Sequence, residues 1–332
     1  MKNKSNVIRN IFFALGVLVI FIMVYSLGFD VIYENLKNTG WWFFAIVGIW
    51  ILVYAMNAIS FHIIIRDGSE ETKQIKFLRT LKIVISGYAI NYTTPMGLLG
   101  GEPYRILELK PALGTKKATS SVLLYAMMHF VSHFILWLLC VPLLMITVKH
   151  ISLGVEIVLW SVLVGSVALI YWSFKVYRKG VIGRLLALGA CIPFVKKRIK
   201  EYSLKNKEHV EEMDQLIAHL YNNRKKAFYA SLGAELCARF IACMEVFIMI
   251  YSIGYEITYI QCVVIVGFAS LFANLLFFSP MQLGTREGGY ALALSSLSIT
   301  SGIGVYVSLC TRVRELFWIA VGIAIMKYKS LK

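Results

Sequence analysis

Long apolar runs alternate with short polar ones along almost the whole chain. Runs at 11–29, 41–65, 118–148, 153–174, 227–253 and 303–326 each reach the ~18 or more residues that a bilayer crossing needs. Two further runs are interrupted. Residues 83–90 are apolar but too short to cross alone, and they lead into Asn91-Tyr-Thr-Thr-Pro-Met-Gly-Leu-Leu-Gly-Gly-Glu-Pro-Tyr-Arg105. The run 257–278 leads into Ser279-Pro-Met-Gln-Leu-Gly-Thr-Arg-Glu287, followed by a second short apolar arm at 290–300. The pattern predicts an all-α polytopic bundle, with about six full crossings and two broken or re-entrant helical elements.

The two interruptions align. Thr94-Pro95-Met96 matches Ser279-Pro280-Met281, a Glu falls seven residues after each Pro (Glu102, Glu287), a Gly precedes it (Gly100, Gly284), and an Arg lies close by (Arg105, Arg286). Proline removes a backbone donor, and each glycine costs about 1 kcal/mol against alanine inside a helix. Pro95, Gly97, Gly100, Gly101, Pro280 and Gly284 therefore shape breaks rather than continuous helices. An internal repeat is the expected source of the match, its orientation left open.

Composition agrees with a membrane protein. The 332 residues are 58% hydrophobic and 16% charged, with a mean hydropathy of +0.70; a soluble domain carries about 25% charged residues. One domain, 1–332, is expected, with no sequence left for a sizeable soluble part. The net charge of +16 sits in short stretches between apolar runs, the placement of the positive-inside rule, and this argues against nucleic acid as partner. The same basic residues could instead also hold anionic lipid headgroups. They put both termini and the region 175–226 on the cytoplasmic side. Within that region, 182–195 reads as an amphipathic helix on the membrane surface and 208–221 as a charged helix. The six Cys lie almost all within apolar runs without metal-ligand spacing and read as small core residues. No signal-peptide cleavage site follows the first run.

Charges inside the apolar runs carry the chemistry. Each costs about 2.5–3.5 kcal/mol mid-membrane on insertion scales, so it faces a partner or a wet cavity. Four groups stand out: Glu102/Arg105, Arg286/Glu287, Glu235/Arg239 and Arg312/Arg314/Glu315. Glu235 and Arg239, four apart, are expected to neutralise each other on one helix face. The broken elements read either as a fold staple or as a cavity for a charged lipid headgroup, with half-helix N-termini suited to phosphate. Asn91, Thr94, Glu102, Arg105, Arg286 and Glu287 would line that cavity, and Arg312 and Arg314 would meet the phosphate. His129 and His133 share a face, but without a third ligand they read as polar residues turned into the bundle rather than a metal site. No nucleotide-binding motif occurs, and neither a cofactor nor a metal is expected.

The two broken motifs and the arginine-bearing last run resemble the lysylphosphatidylglycerol synthase transmembrane region, a flippase-like family, over nearly the whole chain. The resemblance implies an inner-membrane bundle with re-entrant helices that moves lipids between leaflets. The cargo would be an anionic or aminoacylated phospholipid, or a glycolipid. A homo-oligomer and a partner synthase are the protein associations left open. In full-length synthase–flippase proteins an aminoacyl-transferase domain follows; this sequence stops at Lys332, so no lysyl-transfer activity is expected. Two rival functions remain: an intramembrane transferase using Glu102 or Glu287 as base, and a scaffold that recruits partners through 175–226.

Overall fold

The computed structural model describes residues 28–93, 100–147, 153–191, 196–275, 285–297 and 299–330, with isolated positions between 18 and 25. The first expected crossing (11–29) and the motif residues Thr94, Pro95, Gly97, Pro280 and Gly284 lie outside them, apart from those isolated positions and Gly28 and Phe29. The described residues form thirteen helices: α1 (Phe29–Thr39), α2 (Trp42–Ile65), α3 (Glu70–Lys73), α4 (Phe77–Thr93), α5 (Gly101–Thr147), α6 (Leu153–Lys179), α7 (Ile182–Gly189), α8 (Lys196–Lys205), α9 (Lys207–Asn223), α10 (Lys225–Ser252), α11 (Tyr259–Leu275), α12 (Thr285–Ser296) and α13 (Ser301–Ser330).

Three of them, α2, α5 and α6, are long and apolar enough to cross a bilayer. At 1.5 Å per residue the 24 residues of α2 span about 36 Å, more than the ~30 Å hydrocarbon core. Helices α10 and α13 are as long, at 28 and 30 residues, but carry charged residues in mid-helix. Helix α6 turns Val155, Ile157, Trp160, Val164 and Val167 outward. A soluble protein would not leave such a face bare, whereas lipid covers it at no cost. The chain is a multi-pass membrane protein.

Several boundaries differ from the expected ones. Residues 30–40, the polar connection between the first two apolar runs, form the amphipathic helix α1: Asp30 in its first turn and Lys37 in its last suit the helix dipole, and its buried face ties Thr39 to Tyr306 (2.9 Å) and Asn35 to Cys310 (3.1 Å). Helix α4 starts six residues before the apolar run, because Thr80 is buried and Arg79 donates to the Glu108 carbonyl (3.0 Å). The polar stretch 102–117 is largely helical. Leu109 and Leu113 bury one face of it, and Gly114, at φ +72°, breaks it from the long span that follows. Helix α12 begins at Thr285, five residues before the expected arm, so Arg286 and Glu287 sit in its first turn. Of the six Cys, four are buried as expected, but Cys191 and Cys237 are exposed.

One core joins α2, α4, α5 and α10 through Tyr54, Phe61, Val84, Tyr125, Met128 and Phe228. A second joins α10 to α13 through Met249, Ile265, Ala293 and Val307. At the Gly114 end of the bundle, Asp67 bonds Lys117 (2.5 Å). Partial burial pushes its carboxyl up, but the hydrogen bonds from Lys117 and Ser69 outweigh this and hold it well below the usual carboxylate range.

The expected surface helix at 182–195 is shorter, ending at Gly189, while 208–221 forms α9 as read. Asp214 of α9 accepts the N–H groups of Val181, Ile182 and Gly183 at 2.7, 2.6 and 3.0 Å, so one carboxylate satisfies three free donors at the start of α7. Asp214→Ala should cost about 1–3 kcal/mol and release this end of α7. Faster hydrogen exchange at the amides of residues 181–183 is the readout; unchanged protection there would show that α7 is held some other way.

Candidate functional site

Between the two cores lies a cavity of about 370 Å³. Its wall combines charged side chains from helix ends and mid-helix positions with aromatic and small residues. Helix α4 brings Tyr88, Asn91 and Tyr92, one face at i, i+3, i+4. Asn91 Oδ1 accepts the Gly101 N–H at 2.6 Å, which ties the end of α4 to the start of α5 across the break. The approach is close: a Cβ on Gly101 would stand 2.2 Å from the Gly87 carbonyl oxygen.

One turn into α5, Arg105 is 2% exposed. It donates from Nη1 to Glu102 Oε1 at 2.8 Å and lies 5.3 and 5.2 Å from the ring centres of Tyr88 and Tyr125, cation–π contacts that replace part of its hydration. Arg105 Nε and Glu102 Oε2 are buried without a hydrogen bond to the protein.

On the α12–α13 side, Arg286 pairs with Glu315, and Arg314 Nη1 lies 3.9 Å from the same carboxylate. Arg314 also donates from Nε and Nη2 to Glu245 of α10 at 2.8 and 3.1 Å, and its guanidinium sits 3.7 Å above the Trp50 ring. Trp50 Nε1 donates to the same Glu245 (2.8 Å). Arg312 Nε reaches Glu287 at 2.7 Å, and Ser308 donates to that oxygen at 3.2 Å. Arg286 and Glu287, neighbours in sequence, both pair with α13. Residues adjacent on a helix point about 100° apart and cannot face one another.

The third wall corrects an expectation. Glu235 and Arg239 do not close on each other. Glu235 bonds His129 Nδ1 of α5 at 2.9 Å, and Arg239 donates to Ser132 Oγ (2.7 Å) and to the His129 carbonyl (3.0 Å). The i,i+4 spacing permits a pair, but α5 packs against this face and offers partners to both. His129 and His133 do face the bundle, and among the described residues no metal-binding cluster forms.

Of the residues singled out from the sequence, Asn91, Glu102, Arg105, Arg286, Arg312 and Arg314 line this one cavity, and Glu287 stands behind Arg312. Five arginines and three glutamates are the charged part of its lining, with Glu235 and Glu287 just outside it. Both signs are present, and several donors and acceptors remain unspent. The cavity can therefore hold a polar group with an anionic part against the guanidiniums and a donor against Glu102. Trp50, Tyr88 and Tyr125 escaped the sequence reading, as did Arg239 and Glu245 as wall residues. The stripe Tyr125-His129-His133-Trp137, every fourth residue of an otherwise apolar span, was the available signal.

Comparison with curated proteins and with solved structures yields no match. A family model described as the lysylphosphatidylglycerol synthase TM region matches residues 10–322. That family is the membrane part of lipid-modifying and flippase proteins. With nearly the whole length matched, the chain belongs to the lysylphosphatidylglycerol synthase TM region family.

Proposed function

We propose that the protein moves a phospholipid between the leaflets of the cytoplasmic membrane, with the headgroup in the charged cavity and the acyl tails left in the bilayer. It carries the lipid without altering it chemically. The breaks between α4 and α5 and between α11 and α12 act as repeat-related re-entrant elements, and both termini and the α7–α9 region face the cytoplasm, in keeping with the basic excess there. One observation carries the reading: a cavity of about 370 Å³ lined by five arginines lies among apolar helices, with buried donors and acceptors still unpaired. Burying so many charges is costly unless something is gained; a fold staple would close its hydrogen bonds and leave no space. Asn91, Thr94, Glu102, Arg105, Arg286, Glu287, Arg312 and Arg314 are the proposed headgroup contacts.

The test is lipid reorientation in vesicles holding the purified chain, read by quenching of a tail-labelled fluorescent phosphatidylglycerol from outside. Losing one charge-assisted contact, worth about 1.5–3 kcal/mol, slows movement roughly tenfold or more. Glu102→Gln and Arg286→Ala should both show this while staying monodisperse. Rates equal to the unmodified chain in both variants would remove these residues from the site.

A further inference from the structure

Resting on that reading, we propose that His129 and Glu235 form a proton-binding site in the cavity wall, so that a phosphate headgroup and a proton cross together. Glu235 is 0% exposed. Among the described residues no Lys or Arg comes within ion-pair distance of it; it bonds His129 Nδ1 at 2.9 Å, with the Ser60 and Tyr125 hydroxyls beside it, and its second oxygen carries no hydrogen bond. A carboxylate so placed in mid-membrane is a proton site or a liability.

The same Nδ1 lies 3.2 Å from the Tyr88 hydroxyl of α4. A ring nitrogen holds either a proton or a lone pair. With a proton it donates to ionised Glu235, and Tyr88 cannot donate to it. When it is bare, Glu235 must itself carry a proton to keep the bond, or Tyr88 takes its place. With Glu235 ionised and the ring nitrogen bare, the ring bonds Tyr88 and ties α5 to α4; with a proton on the ring nitrogen or on Glu235, it ties α5 to α10. Helix α4 is the one that caps Gly101 through Asn91 and packs Tyr88 against Arg105.

The charged and titratable groups around the pair are few. Helix α4 supplies Tyr88, α5 supplies Arg105, Tyr125 and His133, and α10 supplies Arg239. Helix α2 presents Ser60, and α11 has no charged residue in its sequence. His133, also on the cavity wall, has a buried Nδ1 without a hydrogen bond, and its ring centre lies 5.4 Å from that of His129, one step further along α5. Arg239, bonded to the His129 carbonyl, and Arg105, packed on Tyr88 and Tyr125, place two guanidiniums beside the pair. A phosphate on those guanidiniums offsets their charge and tightens the proton's hold, and by linkage the proton tightens the phosphate by the same factor. One proton adds to the pair from water on the side where the headgroup enters and returns to water on the other. No other bond forms or breaks.

Glu235→Gln keeps a hydrogen-bonding side chain and abolishes the proton site, which separates this role from a structural one. In the vesicle assay above, a pH gradient acid on the side the labelled lipid leaves should speed its movement several-fold, and Glu235→Gln should be indifferent to the gradient. Infrared difference spectra of the purified full chain should show a protonated-carboxyl band that grows on adding soluble glycerophosphoglycerol and is missing from the variant. This spectrum needs no transport. Should Glu235→Gln fail to fold, the gradient response and the spectrum of the unmodified chain still decide. Lipid movement indifferent to the gradient overturns the coupling and leaves the proposed function standing. A gradient response that persists in Glu235→Gln, or no such band, assigns the proton elsewhere and overturns the site. No lipid movement under any gradient overturns the transport reading and this one with it, even with the band present.

Discussion

Glu245→Ala should destabilise the folded protein by about 3–5 kcal/mol, the usual cost of stripping one partner from a buried ion pair. Glu245 is 4% exposed and accepts three hydrogen bonds, two from Arg314 and one from Trp50. Without it, the one carboxylate still near Arg314 among the described residues is Glu315 at 3.9 Å, and Glu315 is already engaged by Arg286. A guanidinium in the interior then lacks a counter-charge. The decisive comparison is a double variant. Glu245→Met with Arg314→Met removes both charges and fills similar space, and replacements of this kind are neutral or stabilising in other proteins. Thermal unfolding in detergent, followed by tryptophan fluorescence, should show a large loss for the single variant and near-recovery for the double. The double variant should nonetheless fail in lipid reorientation, because Arg314 is a proposed headgroup contact. Were the single variant as stable as the parent, the buried network would not be holding α10 to α13.

Why some of this was legible beforehand follows from the solvent. Lipid demands some twenty consecutive apolar residues per crossing, so α2, α6 and the long limb of α5 announce themselves, and a charge inside such a run is conspicuous. Helix ends are not demanded by anything so simple. Helix α4 reaches back to Phe77 because Thr80 is buried and Arg79 bonds the Glu108 carbonyl, contacts no apolar run reveals, and the limb 101–113 hides its buried Leu109 and Leu113 in a largely polar stretch. Partner choice was less legible still. Glu235 and Arg239 satisfy the spacing of an intrahelical pair, yet His129 and Ser132 win both, because a packed neighbouring helix competes at the same distance. Arg286 and Glu287 likewise turn to Glu315 and Arg312. Spacing along one helix says which side chains share a face; it says nothing about which helix arrives there.

The crossing of α4 and α5 offers the sharpest separation of stability from function. A methyl group on Gly101 would meet the backbone of Gly87, its carbonyl oxygen at 2.2 Å and carbonyl carbon at 2.9 Å, as well as Asn91 Oδ1 at 2.9 Å. Backbone cannot swing aside, so Gly101→Ala must push the helices apart, strain the Asn91 cap, and cost about 1–3 kcal/mol as overpacking does. A methyl group on Gly87 meets something different: the nearest atom is Arg105 Nε at 2.5 Å, with Cζ and Nη2 at 3.0 Å. A long side chain can move, and stability should fall less. What is lost is the seat of Arg105 between Tyr88 and Tyr125 beside Glu102. Gly87→Ala should therefore slow lipid movement by about tenfold, the worth of one charge-assisted contact, while shifting the unfolding temperature less than Gly101→Ala does. The opposite order, with Gly87→Ala less stable than Gly101→Ala and transport intact, would mean that Arg105 braces the fold and takes no part in holding the headgroup.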